Sequence, residues 1–270
     1  KMTMPGRLFL QKFLFHARKK HCQYVILEVT SEGIKQHRHQ FIDFDVAALV
    51  NVQPEHLEAH ENSFEKYRQA KEKLFAKLNS CRKKMPISDR RGQFEAHIKK
   101  ISVVNLDDKL ADHFLNYWAE KKVGFCLNCA DKNGVDVMVR PDHYKVSNQG
   151  IDLTLDGVEM HSPLRGDFNL DNILCAVAIA KALNVPLMAI KEALAKFDGL
   201  PGRMEEIETN SNFKVFVDYA HTPDSLDAVC SSLKKEIESK SKLICVVGST
   251  GGGRDKWKRP AMGKVVAQFC

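Results

Sequence analysis

Two apolar runs near the start of the chain predict strands that are buried on both faces. Residues 23–29 and 45–52 are almost continuously apolar, without alternating polar positions. This pattern is typical of parallel sheets covered by helices on both sides. Shorter apolar runs at 101–104 and 123–127 predict two further strands.

Helical periodicity lies between these runs. From residue 63 to 78, apolar side chains such as Phe64, Tyr67 and Leu74 recur every three or four positions, which predicts an amphipathic helix. Residues 106–119, 170–183 and 186–197 predict further helices. Between 135 and 164, short alternating runs are separated by turn-forming glycine segments, a pattern that favours β-hairpins.

A linker is predicted at residues 198–202, where the sequence reads Asp-Gly-Leu-Pro-Gly. Beyond it we expect strands at 203–208, 213–218 and 243–247, and helices at 225–239 and from 259 onwards. Strands that alternate with helices predict an α/β fold with mainly parallel sheets. We therefore expect one domain at 1–200 and the start of a second at 201–270.

Composition narrows the functional class. Apolar residues make up 44% and charged residues 28%, which is ordinary for a soluble globular protein. We expect no membrane partner and a cytoplasmic location, because the sequence contains neither a long apolar run nor a secretory signal. The net charge of +7 is spread along the chain, so we expect no nucleic-acid partner, although it suits an anionic nucleotide substrate.

Cysteine spacing gives little indication of a metal site. Of eight cysteines, only Cys126 and Cys129 have a spacing typical of metal ligands. A structural zinc site needs four ligands, and no second pair accompanies these two. We expect the other six to be reduced thiols.

Polar residues that follow the predicted strands are candidate ligands, because ligands gather at the carboxyl ends of strands in such sheets. Glu28 ends the first predicted strand, and His56 follows the second. Together they could hold a divalent cation, or serve only as capping and hydrogen-bonding groups. Asn169 and Asn172 open an apolar helix and are either caps or nucleotide contacts.

Two further segments have the composition of turns that begin helices. Within residues 218–224, Thr222 and Pro223 predict a helix N-cap, which leaves a ligand role open. The glycine run 248–253 has the glycine spacing of a P-loop, but Arg254 and Asp255 stand where a P-loop requires Lys and Ser or Thr. An anion-binding turn is the alternative there.

Taken in order, these segments resemble the Mur ligase family. The elements Gln36-His37-Arg38 and 218–224 are most similar to the members that add the third residue of the peptidoglycan stem peptide. The matching stretches cover nearly the whole chain: 3–6, 27–38, 44–47, 51–60, 70–75, 166–169 with Asn172, 201–205, 218–224 and 247–260. The resemblance implies a central domain with a mainly parallel sheet and a small hairpin region, followed by a Rossmann-like C-terminal domain.

The resemblance also implies the chemistry. ATP and Mg²⁺ would activate the terminal carboxylate of UDP-N-acetylmuramoyl-L-alanyl-D-glutamate as an acyl phosphate. The amine of a diamino acid would then attack it, in peptidoglycan biosynthesis. Such an enzyme works mainly by positioning its reactants and neutralising charge.

Site roles follow from the same resemblance, position by position. The metal and catalytic positions are Glu28, His56 and Lys71, with Lys71 carbamylated so that it becomes an oxygen ligand. The positions that hold the UDP-muramoyl dipeptide are Thr3, Thr30, Gln36 and Arg38. The positions near the base and ribose of ATP are Asn169, Asn172, Asp218 and His221. Arg254 matches a contact to the incoming amino acid.

The sequence departs from the family pattern at a few positions. Glu32 stands where the family usually has His, Glu55 and Gly253 where it has Asp, and Trp257 where it has Gly. The family's P-loop belongs upstream of Thr3, so we expect no ligase turnover from these residues alone. Two alternatives stay open: another Mur, folylpolyglutamate or cyanophycin synthetase-type ligase, and a non-catalytic binding protein with the same fold.

Overall fold

A computed structural model describes residues 4–54, 57–85, 97–237, 241–248 and 256–270. The chain divides into two compact units. The first unit contains residues 1–124 and 131–137, and the second contains 125–130 and 138–270.

The first unit contains three of the predicted strands, those at 45–52, 101–104 and 123–127. Its elements are α1 (Arg7–Lys19), α2 (Ser31–Lys35), β1 (Val46–Leu49), a short 3-10 helix (Leu57–His60), α3 (Phe64–Leu78), β2 (Ile101–Asn105), α4 (Ala111–Leu115) and β3 (Lys121–Phe125). With β4 (Val137–Val139), the strands form a sheet in the order β1-β2-β3-β4. β1 and β2 are parallel, with Val46 opposite Ile101. Every residue of β2 is buried, as its apolar run predicts.

The core of this unit lies where α3 and α4 cover the sheet. Phe75 and Phe114 meet edge to face with ring centres 5.0 Å apart, and they pack with Ala47, Leu49 and Val104. The predicted helix at 63–78 is confirmed, with Ser63 as its N-cap. The Lys66 backbone N–H donates to the Ser63 hydroxyl at 3.3 Å.

Charged side chains cluster where the strands begin. Lys100 is only 1% exposed, and its ammonium group donates to the Phe44 carbonyl at 2.8 Å and to Asp45 at 2.9 Å. Lys83 and Lys84, from a basic run, pair with Glu120 and Asp45 respectively. That run therefore neutralises acidic groups of the unit's own surface.

The second unit begins with antiparallel structure. β5 (His143–Ser147), β6 (Gly150–Leu155) and β7 (Val158–Ser162) form a meander, which confirms the predicted hairpins. The remaining elements are α5 (Phe168–Ala182), α6 (Leu187–Ala195), β8 (Glu205–Ile207), β9 (Val215–Val217), α7 (Pro223–Glu236) and α8 (Lys258–Phe269). The strands expected at 203–208 and 213–218 pair as an antiparallel hairpin.

Two predicted strands are wrong. Residues 23–29 and 243–247 have no strand structure, and Ile26 and Val246 are 92% and 98% exposed. A strand is stable only when a neighbour completes its hydrogen bonds, and no strand among the described residues pairs with either run. High β-propensity alone therefore does not make these two runs strands.

The helix predicted at 106–119 is also wrong in extent, because α4 covers only Ala111–Leu115. Side-chain oxygens hold the preceding turn in a non-helical form. The Asp107 N–H donates to the Asn105 side chain at 3.0 Å, and the Leu110 N–H donates to Asp108 at 2.8 Å. Such local bonds compete with helix formation.

The structure adds features that the patterns do not predict. Helix α1 precedes the first apolar run, and Cys126 and Cys129 form a disulfide. The other six cysteines are free thiols, as expected. Within the described residues, no helix is long and apolar enough to cross a bilayer.

Candidate functional site

Helix α2 brings together the residues expected to hold a substrate. Thr30 is its N-cap and accepts a hydrogen bond from the Gly33 N–H at 3.0 Å. The Arg38 guanidinium donates to the Gln36 side chain and to the Met4 carbonyl. Thr30, Gln36 and Arg38 therefore surround one short helix. Thr3 lies outside the described residues, one position before Met4 in the sequence.

Glu32, one of the departures from the family pattern, takes part in this cluster. Its carboxylate accepts a hydrogen bond from the Gln36 amide N–H at 3.1 Å. The Gln36 amide oxygen then faces the Arg38 guanidinium. The carboxylate thus orients the amide, and it adds a negative charge beside the expected substrate.

Glu28 does not end a buried strand, so that expectation is wrong. The side chain is exposed, because the run before it is unpaired. Its carboxylate therefore bears little of the desolvation cost that a core position would impose, and it is accessible to a cation.

The segment after Glu28 is fixed to the loop that follows β1. The Ser31 hydroxyl and the His60 Nε2 lie 3.1 Å apart, and both residues are buried. His56 itself lies outside the described residues, one position before the 3-10 helix that ends with His60. This hydrogen bond joins the two chain segments that the sequence assigns to a cation site.

Lys71 lies on α3, one turn after Tyr67, and the Tyr67 ring lies between Lys71 and His60. The Lys71 Nζ is 5.1 Å from the centre of the Tyr67 ring, and that ring meets the His60 ring edge to face at 5.5 Å. A cation–π contact attracts the Lys71 ammonium to the Tyr67 ring. Conversion to a carbamate would replace this attraction with an anionic oxygen ligand.

The neighbouring turn of α3 is held by a buried ionic network. Glu72 pairs with Arg68 and accepts a hydrogen bond from the Tyr117 hydroxyl at 3.1 Å. Burial, and then the Glu72 charge, raise the pKa of Tyr117. The network holds the turn of α3 that contains Lys71.

The second unit carries the residues expected near ATP. The Asn169 amide donates to the Arg165 carbonyl at 2.7 Å, and the Asn172 amide donates to Asn169 at 3.0 Å. Neither bond caps the helix N-terminus, because a cap must accept from a backbone N–H. Asn172 is exposed at the helix start.

Asp218 and His221 lie in the turn between β9 and α7. Asp218 accepts hydrogen bonds from the Met204 and Ala220 N–H groups at 2.8 and 2.6 Å. His221 Nδ1 lies 2.9 Å from the Tyr219 carbonyl, so Nδ1 carries the proton and Nε2 is an acceptor in the neutral ring. Thr222 forms a capping box with Ser225, which confirms the predicted N-cap.

Two residues near this turn were missed by the sequence analysis. Arg165 donates to Glu206 and Glu236, and its guanidinium lies 4.9 Å from the Phe216 ring centre. It thereby fastens the start of α5 to β8, β9 and α7.

Tyr219 is exposed and lies between His221 and Arg203, with the Arg203 guanidinium 5.0 Å from its ring centre. Only its position inside the 218–224 segment could have indicated it.

Arg254 and most of the glycine run lie outside the described residues. The structure therefore groups the expected site residues into two sets. One set surrounds α2 and α3 in the first unit, and the other lies at the starts of α5 and α7 in the second.

Comparisons with known proteins identify the family, and they assign Asn169 and Asn172 to the same domain match as the first set. Residues 1–180 match the Mur ligase middle domain, and residues 202–270 match the Mur ligase glutamate ligase domain. The chain is 34% identical over 273 residues to the UDP-N-acetylmuramoyl-L-alanyl-D-glutamate–2,6-diaminopimelate ligase of Caldanaerobacter subterraneus subsp. tengcongensis, covering 99% of this chain and 51% of that protein. It is 35% identical over 274 residues to the ligase of the same name from Bacillus velezensis, covering 100% of this chain and 51% of that one.

A solved structure of a ligase with that name superposes with a TM-score of 0.68 at 29% identity, covering 98% of this chain and 50% of the other. The chain therefore spans about half the length of the curated relatives it matches.

Proposed function

This chain belongs to the Mur ligase family, and we propose that it forms the central domain and the start of the C-terminal domain of a diamino-acid-adding ligase. The acceptor would be UDP-N-acetylmuramoyl-L-alanyl-D-glutamate. The observation that carries the proposal is the match of nearly the whole chain to ligases of that name. The two domain matches on either side of residues 181–201 support a boundary near residue 200.

We assign the muramoyl dipeptide to the surface around α2. Thr30, Gln36 and Arg38 lie there together, and Arg38 supplies a guanidinium whose fork suits carboxylate and phosphate oxygens. The bonds to Met4 and Gln36 fix that guanidinium in advance. We assign Thr3 to the same surface and Arg254 to the incoming amino acid, from the family resemblance.

The cation site is assigned to Glu28, His56 and Lys71. Donor chemistry supports Mg²⁺, which prefers oxygen ligands: Glu28 offers an exposed carboxylate, and a carbamate on Lys71 would offer another oxygen. ATP would supply the phosphoryl group that activates the acceptor carboxylate, and Mg²⁺ would neutralise phosphate charge. The Tyr67 ring contacts the Lys71 ammonium, and the Arg68–Glu72 pair stabilises the same turn of α3.

Nucleotide contacts are assigned to Asn169, Asn172, Asp218 and His221. Asp218 already organises the turn by accepting two backbone hydrogen bonds, so its contribution would be to hold the turn and its neighbours. His221 would present the Nε2 acceptor. The exposed Tyr219 ring beside it offers an aromatic face on which a base could stack.

The test is a ligase assay on the complete enzyme that contains this chain. The substrates are ATP, Mg²⁺, bicarbonate, UDP-N-acetylmuramoyl-L-alanyl-D-glutamate and either diaminopimelate or lysine. The measured quantities are phosphate release and the mass of the product. Lys71→Ala should lower kcat by about 100-fold or more, since misplacing one catalytic group has an effect of this size.

Lys73→Ala is the matched control, because Lys73 is an exposed lysine of the same helix that the resemblance does not match to the site. Its activity should equal that of the wild type. Product formation with a folate or another peptide acceptor, but not with the muramoyl dipeptide, would favour a different ligase on this fold. No product with any acceptor would favour a binding protein. Equal activity of Lys71→Ala and wild type would refute the catalytic assignment.

A further inference from the structure

Three cysteines from separate parts of the sequence meet in the second unit. Cys230 lies on α7, Cys245 in segment 241–248, which has no regular secondary structure, and Cys270 directly after α8. Their three sulfur atoms all lie within 4.8 Å of one another. None of these residues belongs to the proposed ligase site, and the inference below does not depend on the proposed function.

The spacing of the sulfur atoms fits a metal ion. In a tetrahedral site with Zn–S bonds of about 2.3 Å, neighbouring sulfurs are about 3.8 Å apart. Every pair in this cluster is therefore within about 1 Å of the separation that coordination requires. We propose that Cys230, Cys245 and Cys270 form a three-thiolate site for one soft divalent cation of the zinc class.

The chemistry of the donors decides the class of cation. All three donors are sulfur, and thiolates select soft or borderline ions over Mg²⁺ and Ca²⁺. Binding converts three thiols and one divalent cation into a complex with three metal–sulfur bonds and releases three protons to solvent. The site is thus separate from the proposed Mg²⁺ site, whose donors are oxygens and an imidazole.

The surroundings hold one thiol firmly and leave the others accessible. Cys230 is only 2% exposed and packs against Leu226 and Met262, so its sulfur has little freedom to move away. Cys245 is half-buried and Cys270 is exposed. As far as the described residues go, a cation can therefore approach from the side of Cys245 and Cys270.

A cavity beside these two cysteines leaves room for a fourth ligand. Its volume is about 530 Å³, and its lining includes Lys234, Ser241 and Lys242 together with Cys245 and Cys270. Three thiolates around a divalent ion carry one net negative charge, which the two lysines would offset. Water or an external thiol would occupy the fourth position, as in zinc sites that have three protein ligands.

The first experiment measures metal binding by the complete protein that contains this chain, reduced with a phosphine. Cd²⁺ is the probe, because thiolate-to-cadmium charge transfer absorbs in the ultraviolet, and Zn²⁺ is then added as a competitor. One equivalent should bind per chain. Cys245→Ser and Cys270→Ser should each weaken binding by more than about 100-fold, since losing even an outer-shell partner weakens binding 10–100-fold.

Controls separate this site from the other cysteines. Cys22→Ser removes an exposed thiol elsewhere, and the double variant Cys126→Ser, Cys129→Ser removes the pair with metal-like spacing. Both should bind Cd²⁺ like the wild type. Binding that is lost with Cys126 and Cys129, or that survives Cys245→Ser together with Cys270→Ser, would overturn the proposal, as would no binding by the wild type.

X-ray absorption on the zinc-loaded wild type gives an answer that does not depend on any variant folding. Three sulfur neighbours at about 2.3 Å are expected. Fewer than three sulfurs around the zinc would exclude the three-thiolate site.

Discussion

The carboxylate of Glu120 should make a pH-dependent contribution to the stability of the first unit. Glu120 accepts hydrogen bonds from the Lys83 ammonium at 2.8 Å and the Lys100 backbone N–H at 2.9 Å, and it lies 2.6 Å from His97 Nε2. The hydrogen bond from Lys83 is the largest cause that holds the pKa of Glu120 at about 2, below its ordinary value of 4.5. Partial burial opposes this shift, and the Lys100 and His97 contacts add to it.

The magnitude follows from the shift. One pKa unit corresponds to about 1.4 kcal/mol, so a shift of about 2.5 units sets an upper bound of about 3.4 kcal/mol. The Lys83 side chain is 53% exposed, and solvent screens such a pair. We therefore expect Glu120→Gln to lower the free energy of unfolding by about 2 kcal/mol near pH 7.

The direction of the pH dependence follows from the lowered folded-state pKa. The contribution is complete above the unfolded pKa of about 4.5 and is lost as the pH falls towards about 2. Near pH 3.5, roughly 40% of it should be gone. The difference between wild type and Glu120→Gln should therefore shrink to about 1 kcal/mol.

Urea unfolding followed by Trp118 fluorescence measures this difference within the first unit. Trp257, the other tryptophan of the chain, is replaced by Phe in every variant so that its signal does not interfere. Glu192→Gln, at an exposed position of α6, is the matched control and should change nothing at either pH. A difference that is the same at both pH values, or absent near pH 7, would refute the reasoning.

Two further predictions concern packing and capping. Phe114→Ala should lower the free energy of unfolding of the first unit by about 3–5 kcal/mol, because Phe114 is 0% exposed and packs on Phe75. Urea unfolding measures this loss, and Phe9→Ala, whose ring is exposed, is the control that should show no comparable effect. Similar losses in both variants would contradict the described core. Thr222→Ala should cost about 1 kcal/mol and speed amide hydrogen exchange in the first turns of α7, because it removes the N-cap. Thr222→Ser keeps the hydroxyl and should behave like the wild type, so equal exchange in all three proteins would exclude the capping role.

Local sequence was sufficient for the elements whose stability depends on neighbouring residues. Helix α3 follows from its periodicity and Ser63, and helix α7 follows from Thr222 and Pro223, because caps and amphipathic spacing act within a few residues. The hairpins of β5–β7 follow from their turn residues for the same reason. Helix α4 is shorter than predicted because the side chains of Asn105 and Asp108 accept hydrogen bonds from the turn before it. The periodicity of apolar residues does not predict these bonds.

The candidate site was predicted less completely from residue patterns. Patterns selected Glu28 and His56 as cation ligands but treated Lys71 as an ordinary helix lysine, and only the family resemblance gave it a role. Glu28 is exposed because residues 23–29, just before and around it, pair with no strand among the described residues. An apolar run does not show whether a partner strand lies beside it. Those roles stay predictions until the complete enzyme is assayed.

The sequence by itself determined the family, the α/β class and the helices and hairpins with strong local patterns. Only the tertiary structure decided that residues 23–29 and 243–247 are unpaired and that Ser31 is hydrogen-bonded to His60. It also decided that the sulfur atoms of Cys230, Cys245 and Cys270 lie close together. The physical reason is the range of the interactions. Caps, turns and periodicity involve residues a few positions apart, whereas strand pairing and clustered side chains depend on which distant segments the packed core brings into contact.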